Sequence, residues 1–63
     1  MRLIKYRILI AAVPFPFQGE VEALDKLGAI KKVKKQAEIC GLRVGRGNKA
    51  IETEILGSRE VGR

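Results

Sequence analysis

The sequence predicts a small two-layer α+β domain, a three-stranded sheet with one helix on one face, and three observations lead there. Residues 3–13, Leu-Ile-Lys-Tyr-Arg-Ile-Leu-Ile-Ala-Ala-Val, alternate with a period of two and are rich in β-branched side chains. Residues 29–40 place Ala29, Ile30, Val33, Ala37 and Cys40 in one arc of a helical wheel about 100° wide. Two short apolar stretches, 42–45 and 50–56, then flank a segment of glycine, asparagine and basic residues. The expected element order is β-α-β-β.

The first strand would direct Ile4, Tyr6, Ile8, Ile10 and Ala12 to one face and Leu3, Lys5, Arg7, Leu9 and Ala11 to the other. Pro14-Phe-Pro-Phe17 ends it, because neither proline can donate to a ladder, and Phe15 and Phe17 are expected to plug the end of the core. Residues 20–40 read as helix by composition. Val21, Leu24 and Leu27 lie on a different side of the wheel from Ile30, Val33 and Ala37, so one helix bent near Gly28 is favoured over two short ones. Glu20, Glu22 and Asp25 at its start would complement the helix dipole. Gly41 supplies a left-handed stop.

Leu42–Gly45 and Ala50–Leu56 are the expected hairpin strands, joined by a turn at Arg46–Lys49, with Leu42, Val44, Ile51, Thr53 and Ile55 facing the core. Residues 57–63 have no period and read as a flexible tail after a single domain of residues 1–56. A parallel crossover from the first strand through the helix is expected to be right-handed, with the hairpin antiparallel beside it, and the expected strand order has the last strand in the middle of the sheet. The long first strand is then an edge, with Leu3, Leu9 and Ala11 on the uncovered face, and edge pairing into a homodimer is expected.

Composition narrows the function. Sixty-three residues form one domain that buries only about 60% of its unfolded surface, so a monomer would be marginal. Cys40 is the only cysteine and there is no histidine, which removes an intrachain disulfide, the common nucleophile–histidine pairs and any recognisable metal-ligand spacing. Cys40 reads as a small buried hydrophobe, and a lone thiol suits the cytoplasm. Residues 41–49 resemble a phosphate loop only superficially. Asn48 separates Gly47 from Lys49, no hydroxyl follows the lysine, and a strand comes next. Glu52 and Glu54 could face a hard cation, but pairing with Arg7 or Arg43 across strands explains them better. The basic start and the apolar run Ile8–Val13 are too short for a secretory leader or a membrane span. No enzyme, cofactor, metal or small-molecule substrate is expected.

The net charge is +6, and its distribution points to a polyanionic partner. Lys31, Lys32, Lys34 and Lys35 crowd the outer side of the helix, where like charges repel by a few tenths of a kcal/mol per i,i+4 pair, with only Glu38 placed to offset Lys34. Arg46 and Lys49 would project from a hairpin tip without acidic neighbours. The expectation is a non-catalytic nucleic-acid-binding protein, for DNA before structured RNA, contacting phosphates through these six residues. A small homo-oligomeric interaction module built on the first strand is the alternative. A winged helix lacking its first helix has the same element order, but Leu24 four residues before Gly28 and the long first strand argue against it.

Overall fold

Nine residues of alternating character form strand β1 (Arg2–Ile10) in the computed structural model, which describes residues 1–47 and 49–62. It is followed by β2 (Ala12–Val13), β3 (Phe17–Ala23), helix α1 (Lys26–Ile39), β4 (Arg43–Val44) and β5 (Glu52–Glu60). The main sheet has the order β3-β1-β5, antiparallel throughout, and β2 pairs with β4 in a small second sheet. The α+β class with three main strands and one helix is as expected. The connectivity differs in four respects.

Residues 17–23 are a strand rather than the first turns of a helix. Phe17, Gly19, Val21 and Ala23 alternate with Gln18, Glu20 and Glu22, and β3 folds back on β1 with Ile8 opposite Gly19 and Ile4 opposite Ala23. The change of face near Gly28 therefore marks a boundary between elements, not a bend. Asp25 caps the helix, its Oδ1 accepting from the Gly28 amide at 2.8 Å. At the other end the Gly41 amide donates to the Glu38 carbonyl and the Leu42 amide to the Ala37 carbonyl, with Gly41 at φ 89°. This is a Schellman stop, and Gly41 has the role expected of it. The helix ends one residue before Cys40, which is exposed rather than buried.

Second, β1 is the central strand, with β3 on one side and β5 on the other, so it has no free edge for pairing with another chain. Third, β4 does not form a hairpin with β5. After Ile10 the chain leaves the main sheet, and Ala12 and Val13 pair with Val44 and Arg43. Fourth, β5 continues past residue 56 to Glu60, and the Val61 amide donates to the Met1 carbonyl at 2.8 Å. Residues 57–60 are thus strand, not tail. The register against β1 shifts between Lys5 and Tyr6, so Tyr6 faces Ile55 while Lys5 faces Gly57, and Leu56 is the extra residue. A bulge flips the inside–outside phase, which hides the strand from a period-two reading.

The core lies between α1 and the β1–β3 half of the sheet. Tyr6, Ile8 and Ile10 meet Val21 and Ala23 from β3 and Ala29, Ile30, Val33 and Ala37 from the helix, and Leu42 closes one end. Small residues let the layers approach closely: a Cβ at Gly19 would stand 2.7 Å from Gln36 Oε1 and 3.2 Å from the Phe17 ring. Phe17 packs against the core edge, whereas Phe15 is exposed. The helix does not reach over β5. Ile51 and Ile55, expected in the core, are 56% and 64% exposed, although Ile55 sits directly opposite buried Tyr6.

This coverage has a measurable consequence. Ile8→Ala should lower the unfolding free energy by about 2–5 kcal/mol, the range for truncating a fully buried aliphatic side chain. Ile55→Ala on the neighbouring strand should cost under about 1 kcal/mol. Urea denaturation of the two variants tests this, and equal losses would contradict a helix confined to β1 and β3.

Candidate nucleic-acid interface

The fold sorts the charges by face. On the face of the sheet away from α1, Arg7 in the central strand reaches both neighbours: its Nε and Nη2 donate to Glu20 Oε2 at 3.1 and 3.0 Å, and its Nη1 donates to Glu54 Oε1 at 3.1 Å. Arg59 on β5 spans β1 to grip Glu22 on β3, with Nε to Oε2 at 2.8 Å and Nη2 to Oε1 at 2.9 Å. Lys5 lies 4.0 Å from Glu20, and the terminal amine and Arg2 both contact Glu60. Glu20 and Glu22, expected at the start of the helix, are instead outward residues of β3 that neutralise this face. Glu54 pairs with Arg7, as cross-strand logic anticipates. A hollow of about 630 Å³ lies here, lined by Arg7, Gln18, Glu52 and Glu54 among others. Its one cation already faces two carboxylates, so it is a poor anion site.

Among the described residues, the helix and the segment after β4 contain no such pairs. Lys31, Lys32, Lys34, Lys35, Arg46 and Lys49 make no ion pair there. The four helix lysines nevertheless differ. Lys31 and Lys35 stand one turn apart on the exposed crest. Lys32 leans over one flank, and its Nζ donates to the Glu22 carbonyl at 2.6 Å. Lys34 leans over the other, half-buried, and its Nζ donates to the Gly47 carbonyl at 2.6 Å instead of pairing with Glu38. Two lysines thus supply open charge, and two also tie the helix to its surroundings.

Arg46 and Lys49 are exposed, but they lie on the connection from β4 to β5 rather than on a hairpin tip. Gly47 adopts φ 100°, the left-handed conformation expected of the turn, while Asn48 lies outside the described residues. The fold brings Arg46, Lys49 and Lys34 around one depression of about 130 Å³, with Ile10, Ala11 and Val44 also lining it. Lys32 is on the opposite flank and takes no part in it. No local pattern in the sequence marks the depression, because its apolar lining comes from the point where the chain leaves β1. The proximity of Pro14 and Pro16 to Ile10 is the one signal of that departure. Lys26, exposed at the first position of the helix, is a further cation that the lysine cluster did not include.

No family model matches the chain, and neither a curated protein nor a solved structure matches it. No helix among the described residues is long and apolar enough to cross a membrane.

The charge sorting can be read by titration. The bidentate Arg59 hydrogen bonds hold the Glu22 carboxyl below its ordinary value against a smaller opposing effect of desolvation, with lesser help from the charges of Arg59, Lys5 and Lys32. A depressed carboxyl contributes stability above its unfolded value and loses it as pH falls through the folded one. In a carboxyl-carbon NMR titration Glu22 should therefore have a midpoint below the usual glutamate value. Arg59→Gln should raise that midpoint. A Glu22 midpoint indifferent to Arg59→Gln would contradict the clamp.

Proposed function

We propose that this protein is a non-catalytic binder of double-stranded DNA, or of structured RNA, that contacts phosphates through the helix side of the domain. The observation that supports this is the segregation of charge. Acidic residues are matched with Arg7 and Arg59 on the open face of the sheet, while Lys31, Lys35, Arg46 and Lys49 are exposed on the helix side without a carboxylate partner among the described residues. A surface mostly of one sign, with exposed Glu38 as the carboxylate among the helix lysines, concentrates a polyanion, and lysines on a helix position a protein on a backbone without reading sequence. An exposed lone thiol at Cys40 suits a reducing compartment, and we place the protein in the cytoplasm.

Fluorescence anisotropy with a labelled duplex at several salt concentrations tests the reading. Affinity should fall steeply with salt, and Lys31→Gln with Lys35→Gln should reduce the magnitude of the log–log slope by about 2, roughly one for each phosphate that is no longer neutralised. Both side chains are exposed and repel one another, so the melting temperature should not fall. Absence of binding to duplex DNA and structured RNA at low salt would overturn the proposal.

A second reading rests on a different observation. β5 is an edge strand, and Ile51 and Ile55 are uncovered on the side of the sheet where α1 stops short. Self-association along this edge would satisfy backbone groups and bury those isoleucines. Sedimentation equilibrium should then give a particle larger than the 7.0 kDa of one chain, and Ile55→Asp should return a folded monomer. A wild-type protein that stays at 7.0 kDa across the micromolar range would exclude this assembly.

A further inference from the structure

We infer that the depression between the end of β1, β4 and the turn after it is a binding site for a single phosphate group. Identifying that phosphate as part of a nucleic-acid strand rests on the function proposed above. The space is about 130 Å³. It is open to solvent, so a phosphate seated there can belong to a larger molecule.

Three cations converge on it. Arg46 offers a planar fork suited to two phosphate oxygens, and Lys49 supplies a compact mobile charge. Lys34 is fixed in place because one of its three N–H donors is held by the Gly47 carbonyl at 2.6 Å, which leaves two for another acceptor. No carboxylate lines the depression among the described residues. Gly45 and Gly47 carry no side chain, so ligand oxygens can approach the backbone there, and Gly47 at φ 100° favours remaining glycine. Ile10, Ala11 and Val44 give the remainder of the wall an apolar character. Ile10 is buried and Val44 half-buried, so this part of the wall is fixed, whereas the crest lysines Lys31 and Lys35 stand on an open helix surface. The site is thus chemically distinct from the open lysine face, and it anchors one phosphate while the crest contributes diffuse attraction.

The test is a heteronuclear NMR titration of the full chain with inorganic phosphate, with sodium chloride at matched ionic strength as the reference, followed by a short oligonucleotide. Phosphate should shift the amides of Gly45, Gly47 and Lys49 saturably where chloride does not, and the oligonucleotide should move the same signals. Arg46→Gln with Lys49→Gln should weaken phosphate binding by at least about tenfold, whereas Arg46→Lys with Lys49→Arg should retain most of it. Both positions are exposed, and an unchanged amide spectrum elsewhere verifies the fold. Phosphate shifts without any nucleic-acid binding would uphold the site and remove the nucleic-acid reading. Nucleic-acid binding that is unaffected by the double glutamine variant, with no phosphate-specific shift at Gly45 or Gly47, would overturn the site and leave the crest lysines as the contact surface.

Discussion

One helix is too narrow for three strands, and most of this structure follows from that. An α-helix is about 10 Å across with its side chains, while strands lie about 4.8 Å apart, so a single helix covers two strands well. Here α1 lies over β1 and β3, where Ala29, Ala37 and Gly19 permit close approach and Ile8, Ile10, Ile30 and Val33 are fully buried. β5 receives its ladder to β1 but no helix above it. The same isoleucine chemistry is therefore buried at Ile8 and exposed at Ile55.

β5 is held by other means. It pairs with β1 from Glu52 to Glu60 through a bulge, and the Ile51 and Val61 amides extend the attachment at both ends by donating to the Leu9 and Met1 carbonyls. Arg7 and Arg59 lace the three strands together on the open face. Exposed ion pairs contribute little individually, so these fix register and consume charge more than they stabilise. The apolar cluster against α1 remains the main source of stability.

The electrostatic character of the helix side is a by-product of this lacing. With Glu20, Glu22 and Glu54 occupied on one face, much of the positive excess of the chain is left on the helix and on the β4–β5 connection. Lys34 links those two elements through the Gly47 carbonyl, so the position of the basic turn depends on the helix. Lys31 and Lys35 repel one another on the crest, a local cost that binding of a polyanion would relieve.

Whatever depends on local period and local caps is written in the sequence. The inward face of β1, the buried arc Ala29-Ile30-Val33-Ala37, the stop at Gly41 and the left-handed Gly47 follow from side-chain alternation, helical spacing and the conformational range of glycine. The strand Phe17–Ala23 is legible in its alternation too, but Gly19 contributes no hydrophobic signal and the acidic residues suit a helix start equally well. The bulge at Leu56 hides the extension of β5, and a helix one residue shorter than its apolar arc leaves Cys40 exposed. The candidate site divides in the same way. Its cationic residues are visible as residues, but their grouping is not. That β1 is central, that β4 pairs with β2, and that Lys34 joins Arg46 and Lys49 while Lys32 turns away are all settled by the tertiary fold. Those outcomes depend on which strands compete for one edge and on how much of a sheet one helix can cover, quantities set by contacts between segments distant in the chain rather than by any window of it.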